Sequence, residues 1–97
     1  MPNQEAPISV TLLVSTAFDP EQNKTVVIVY CPELDMEGAG FSREEAEERF
    51  RETVKANVAM AKAAKSLKLI LTGYGWTEKD GHWVPPVITV EKTTVAF

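Results

Sequence analysis

The sequence predicts an α+β domain: elements in the order β-β-β-α-β, an antiparallel sheet of about four strands, and one long helix packed on one face. Three stretches carry that prediction. Ile8, Val10, Leu12 and Val14 alternate with Ser9, Thr11 and Ser15; the run Thr25-Val26-Val27-Ile28-Val29-Tyr30-Cys31 is apolar on both faces and rich in β-branched residues; and Ser42 opens a long segment of helical periodicity.

The alternation from Ile8 to Ser15 has the period of a half-buried strand. Asp19-Pro20-Glu21-Gln22-Asn23-Lys24 follows as turn chemistry, because proline presets φ and Asp and Asn side chains bond to nearby backbone. A hairpin is the consequence. Its second strand, Thr25 to Cys31, suits a central position with a helix on one face and another cover, such as a second subunit, on the other. Pro32 lacks an N–H and ends that strand, and Met36 to Gly40 is a short third strand whose Gly38 and Gly40 permit a bulge or a close approach.

Ser42 is an N-cap and Glu45 stands three residues later, which makes a capping box, with Phe41 and Ala46 placed to form a hydrophobic staple. Ala46, Phe50, Val54, Val58, Ala61 and Ala64 recur at helical spacing and line the face that covers the sheet. Glutamates at 44, 45, 47 and 48 crowd the first turns while Lys62, Lys65 and Lys68 come late, an order that complements the helix macrodipole. The pairs Glu45 with Arg49 and Glu47 with Arg51 add roughly 0.2–0.5 kcal/mol each. A helix unbroken from Arg43 to Leu71 would exceed the usual length of about 8–20 residues, so a break is expected near Lys65-Ser66, with Gly73 closing the helical region.

Asp80-Gly81 is a two-residue hairpin signal between Trp76-Thr77-Glu78-Lys79 and His82-Trp83-Val84, and it sets Glu78 opposite Trp83. After Pro85-Pro86, the stretch from Val87 to Phe97 reads as a last strand. Ile88, Val90, Val95 and Phe97 stay apolar up to the chain end, where fraying would expose them, and self-association is the expected remedy.

The 97 residues form a single domain, with residues 1–6 expected to be disordered and residues 76–97 forming the terminal hairpin and strand. A core of this size has little stability to spare, so a homo-oligomer is expected. No stretch approaches the roughly 20 apolar residues of a membrane span, and Met1 to Glu5 lacks the basic start and apolar block of a secretory signal. A cytoplasmic protein is the expectation. One cysteine and one histidine exclude an intrachain disulfide and paired-cysteine zinc sites. A net charge of −4 argues against a protein that tracks phosphates along nucleic acid, and leaves room for a basic partner.

The run Tyr30-Cys31-Pro32-Glu33-Leu34-Asp35, followed by Gly40-Phe41-Ser42-Arg43-Glu44-Glu45-Ala46, resembles the HicB-like antitoxin family. The residues that carry the likeness are Tyr30, Pro32, Glu33, Leu34, Gly40, Ser42, Glu45 and Ala46: an aromatic-x-Pro-acidic-Leu strand end before a Gly-x-Ser-x-Glu-Glu-Ala helix start. The close match covers Thr25 to about Phe50, and Gly75-Trp76 resembles the Gly-Trp that ends the helical region in some relatives. The resemblance implies a partial RNase H-like fold and a non-catalytic module, without cofactors, that covers the active site of a small basic RNA-cleaving toxin. It implies no direct DNA binding, since the residues after Trp76 are strand-like rather than the operator-binding module of full antitoxins.

Other chemistries compete with that resemblance. Glu33, Asp35 and Glu37 would share one side of an extended segment, an arrangement that invites a divalent-metal nuclease, although ordinary alternation makes them a solvated face instead. Tyr74, Trp76, His82 and Trp83 form an aromatic patch that either binds a small ligand in a stand-alone oligomer or seals the core. Cys31 in an apolar strand reads as a small buried hydrophobe rather than a reactive thiol. No catalytic, cofactor-binding or metal-binding residue is assigned.

Overall fold

The computed structural model describes residues 7–97. The disorder expected for residues 1–6 lies outside them. The chain runs through β1 (Leu13–Asp19), β2 (Lys24–Cys31), β3 (Met36–Gly40), α1 (Arg43–Ala63), α2 (Leu67–Gly73), β4 (Thr77–Lys79) and β5 (His82–Val84). The first three strands form an antiparallel sheet in the order β1-β2-β3, and β4 and β5 form a separate two-stranded sheet. Among the described residues no helix is long and apolar enough to cross a membrane.

The α+β class and the order of elements are as the sequence predicts, but the sheet has three strands rather than four. Among the described residues the stretch from Val87 to Phe97 forms no ladder. Pro85 and Pro86 offer no N–H to a neighbouring strand, and a side chain at Gly75 would meet Pro86 at 3.4 Å, which roots the terminal stretch near the end of α2. The first strand also begins later than the alternation from Ile8 predicts. Leu13 pairs with Tyr30 at the end of β2, so residues 8–12 run beyond their partner and must find other bonds.

The turn between β1 and β2 forms where Asp19 and Pro20 predict it. Asp19 pairs with Lys24, its carboxylate accepts the Glu21 N–H at 2.9 Å, and Asn23 takes a left-handed φ of 53°. The β4–β5 hairpin has Asp80 at φ 52° and Gly81 at φ 77°, the conformations a type I′ turn needs, and it sets Glu78 opposite Trp83.

Helix α1 lies across β2 and β3, and Gly38 makes that crossing possible. A Cβ there would stand 2.5 Å from the Phe50 nitrogen and 2.8 Å from its Cα, and closer still to the Ala46 carbonyl. The glycine permits a close approach rather than a bulge. Val29 and Cys31 from the sheet, Ala46 and Phe50 from α1, and Leu34, Leu71 and Trp76 from the connections form the buried core. Of the helix face read from the sequence, Ala46, Phe50 and Ala61 are buried and Val54 and Val58 half-buried, while Ala64 is exposed because the helix has already ended there.

Ser42 Oγ accepts the Glu45 N–H at 3.1 Å, and the Glu45 carboxylate reaches back to the Phe41 N–H at 2.9 Å, one residue earlier than a standard capping box. Phe41 does not seal this entry as a staple would. Its ring is 45% exposed and lies 4.8 Å beneath Lys24 Nζ, while Ala46 is buried where α1 crosses Gly38.

The break expected at Lys65-Ser66 is present, and its bonding explains it. The Ser66 N–H reaches the Ala61 carbonyl at 2.9 Å and the Lys65 N–H the Lys62 carbonyl at 3.1 Å, a Schellman motif with Lys65 in the left-handed position at φ 56°. A second Schellman motif ends α2. Trp76 N–H bonds to Leu71 O at 3.0 Å and Gly75 N–H to Thr72 O at 3.1 Å, with Gly75 at φ 91°. The terminating glycine is therefore Gly75 and not Gly73, which is the last helical residue. Only a residue in the left-handed region can turn the chain so that Trp76 falls back on Leu71.

Candidate functional site

The run that carries the family likeness folds as the connection between β2 and β3. Leu34 N–H bonds to the Cys31 carbonyl at 3.3 Å, closing a turn with Pro32 at its second position, and Asp35 takes φ 52° before β3 starts. This changes the fate of the three carboxylates. The segment is not extended, so Glu33, Asp35 and Glu37 do not share a face.

Glu33 is turned inward and only 4% exposed, which corrects the expectation of a solvated residue. One carboxylate oxygen accepts the Thr11 N–H at 2.7 Å and the Thr11 hydroxyl at 2.8 Å, and the other lies 3.6 Å from the Cys31 thiol. Its main-chain carbonyl accepts the indole N–H of Trp76 at 2.8 Å. One residue thus ties together the overhanging N-terminal segment, the sheet and the chain after α2. Burial alone would raise the Glu33 carboxyl above its ordinary value, but the Thr11 hydroxyl, backbone N–H groups and the Cys31 thiol outweigh it, and the net direction is down.

Asp35 and Glu37 go elsewhere. The Tyr30 hydroxyl donates to Asp35 Oδ1 at 2.7 Å, and that bond holds the phenol above its usual range. Glu37 stands exposed on β3 opposite Tyr30. Among the described residues no group of three or more His, Cys, Asp or Glu side chains converges as metal ligands would. Cys31 is fully buried, as the sequence predicts, and its thiol is pushed up chiefly by that burial.

Period-2 alternation does not reveal Glu33 as a structural hub, because the proline before it ends the strand and breaks the period. The signal in the sequence was Pro32 itself: a turn starting there rotates the next residues out of the period-2 frame. The partner was not legible, since Thr11 is 22 residues away.

The aromatic patch divides in two. Trp76 is 5% exposed and belongs to the core, whereas Trp83 is half-buried and His82 and Tyr74 are exposed. The two tryptophans join Val10, Leu12, Phe50, Val54 and Leu71 in walling an open groove of about 1590 Å³ between the N-terminal segment, α1 and the terminal hairpin. Arg51, Lys55 and His82 stand among its polar lining residues.

Two further surfaces are open among the described residues. On the side of the sheet away from α1, Val26, Ile28 and Tyr30 are half-buried beside exposed Leu13 and Ala17 of β1. Strand β1 itself has β2 on one side and, among the described residues, a bare edge on the other, with Val14 and Phe18 exposed at 46% and 61%. Along α1, the expected Glu45–Arg49 and Glu47–Arg51 pairs form at 3.7 and 3.0 Å, and Arg43 joins Glu47 at 2.7 Å. Glu44, Glu48 and Glu52, four residues apart, are exposed and make no ion pair among the described residues. Macrodipole complementation accounts for Glu44 in the first turn but not for the two that follow.

Of the residues named for self-association, Val90, Val95 and Phe97 are exposed and Ile88 is half-buried. No family model, curated protein or solved structure matches this chain.

Proposed function

We propose that the chain is a non-catalytic, HicB-like protein-binding module that associates with itself and whose other partner is a small basic RNA-cleaving toxin. The observation that carries this reading is the uncovered sheet. Helix α1 packs on one side of the sheet, over β2 and β3, so on the other side an apolar face that a lone domain would normally bury stays open around Leu13, Ala17, Val26 and Ile28. The row of Glu44, Glu48 and Glu52 supports a partner of positive charge, because complementary fields speed association and exclude like-charged competitors. The turn at Pro32 and the helix capped by Ser42 support the family resemblance as architecture.

The test is co-purification with the product of an adjacent short open reading frame, together with inhibition of its RNA cleavage. Binding should weaken with salt and with replacement of Glu44, Glu48 and Glu52 by Lys. Absence of both binding and inhibition overturns the toxin reading.

A second reading draws on the open groove of about 1590 Å³ beside Trp76 and Trp83. A stand-alone oligomer that binds a small ligand there would show saturable quenching of tryptophan fluorescence. A flat response across a broad metabolite panel counts against it. A nuclease centred on Asp35 and Glu37 has less support, since Glu33 is committed to Thr11 and Asp35 to Tyr30. Loss of a magnesium- or manganese-dependent cleavage on replacing both by Ala would reinstate it.

A further inference from the structure

We infer that residues 87–97 of one copy add as a strand to the bare edge of β1 in a second copy, so that two chains complete each other's sheets by exchange. The inference deepens the self-association part of the reading above and rests on it, independently of any toxin.

The terminal stretch has the composition of a strand without a strand's partner. Eight of its eleven residues, Val87, Ile88, Thr89, Val90, Thr93, Thr94, Val95 and Phe97, are β-branched or aromatic, the types that favour a pleated, packed surface. Yet among the described residues none of the eleven makes a hydrogen bond or ion pair, and Val87, Val90 and Val95 are 95%, 66% and 66% exposed. Rooted at Pro86 against Gly75, the stretch leaves the body as an arm. The radius of gyration, 16.1 Å, exceeds the about 13 Å of a compact chain of this size, as an arm requires.

The bare edge of β1 fits this arm better than the opposite edge of the same sheet, at β3. Natural sheets blunt their edges with lysine, proline, bulges or a covering element. Strand β1 has none of these: its seven residues, LVSTAFD, carry no charge before Asp19. The opposite edge differs, because β3 is shorter, bears Glu37 and already gives its Ala39 carbonyl to Arg49 at 3.3 Å. A strand added at β1 would meet Val14, Thr16 and Phe18 on the helix side, beyond the main footprint of α1 on β2 and β3, and Leu13, Ser15 and Ala17 on the other. Both faces are open, which suits an arm that carries apolar residues on both of its own, Val87, Val95 and Phe97 on one and Ile88, Val90 and Ala96 on the other, with one charge on each, Glu91 and Lys92, at its centre. A second copy offers one arm and one edge, so reciprocal exchange closes about a two-fold axis.

Light scattering on the full chain tests this, with an arm variant, Val90→Lys with Val95→Lys, and an edge variant, Val14→Lys with Phe18→Lys. All four positions are exposed in the single copy, so both variants should keep the helical circular dichroism and a cooperative melt, losing only the strand signal that exchange adds. The expected results are a wild-type mass near twice 10.7 kDa, a mass near 10.7 kDa for each variant alone, and recovery of the doubled mass on mixing them, since an intact arm then meets an intact edge. A wild-type mass of 10.7 kDa at every concentration overturns both exchange and self-association. A doubled mass that survives in either variant overturns exchange alone and leaves self-association standing. If the edge variant fails to fold, the arm variant decides, because its two residues are unbonded in the single copy.

Discussion

Replacing Glu33 by Gln probes the one buried carboxylate among the described residues and the tie it makes to Thr11. The glutamine can still accept both Thr11 donors through its carbonyl oxygen, so shape and connectivity are kept while the charge is lost. Hydrogen bonds to an ionised acceptor contribute about 1.5–3 kcal/mol each against about 0.5–1.5 for neutral ones. Two such bonds weakened by about 1 kcal/mol each, less the smaller desolvation cost of the neutral amide, give a destabilisation of about 1–2 kcal/mol at pH 7.

The pH dependence gives the sharper test. Glu33 has a folded pKa below its unfolded value, so its ionised form contributes stability that is fully present above the unfolded pKa and is lost as pH falls through the folded one. The gap between wild type and Glu33→Gln should therefore be constant near neutrality and close progressively on acidification below about pH 4–5. Urea unfolding followed by tryptophan fluorescence reads it directly, because the Trp76 indole bonds to the Glu33 carbonyl and reports on the same corner. A variant as stable as wild type at pH 7, or a gap that is the same at acid and neutral pH, would refute the assignment of this stabilisation to the Glu33 charge.

Three further outcomes follow from the packing. Gly38→Ala sets a methyl group against the Phe50 backbone, which only movement of α1 can relieve, so it should cost about 2–3 kcal/mol and lower the melting temperature by roughly 10 °C or more; a rise in melting temperature would contradict the close crossing. Lys65→Gly removes a left-handed non-glycine residue from the Schellman motif after α1 and should stabilise thermal unfolding by up to about 1 kcal/mol, a loss of stability being the contrary result. Cys31, fully buried with its thiol pushed up, should react with a thiol reagent at neutral pH only as fast as the protein opens; rapid stoichiometric labelling of the folded chain would show the burial to be wrong.

Elements whose signal is local are legible in the amino-acid sequence alone. The Ser42 cap needs only the N–H three residues on, Asp80-Gly81 sets its own dihedral angles, and the break at Lys65-Ser66 follows from the length one helix can reach. Where sequence and fold part, the missing information is a partner. The segment from Ile8 to Leu12 and the arm from Val87 to Phe97 both carry strand periodicity, but a strand exists only where another edge lies opposite. For the first, β2 ends too early; for the second, two prolines and the anchoring of Pro86 turn the chain away.

By itself, then, the sequence determined the class, the order of elements, the buried face of α1 and the two hairpins, because these depend on contacts within a few residues or on periodicity. Tertiary structure decided the number of strands, the glycine that ends α2 and the role of Glu33. That carboxylate is exposed or buried according to whether Thr11 and Trp76 arrive from 22 and 43 residues away to satisfy it, and no pattern local to position 33 encodes their arrival. The same holds for the open sheet: residue pattern shows what wants covering, and only the path of α1 over β2 and β3 shows which half it leaves bare.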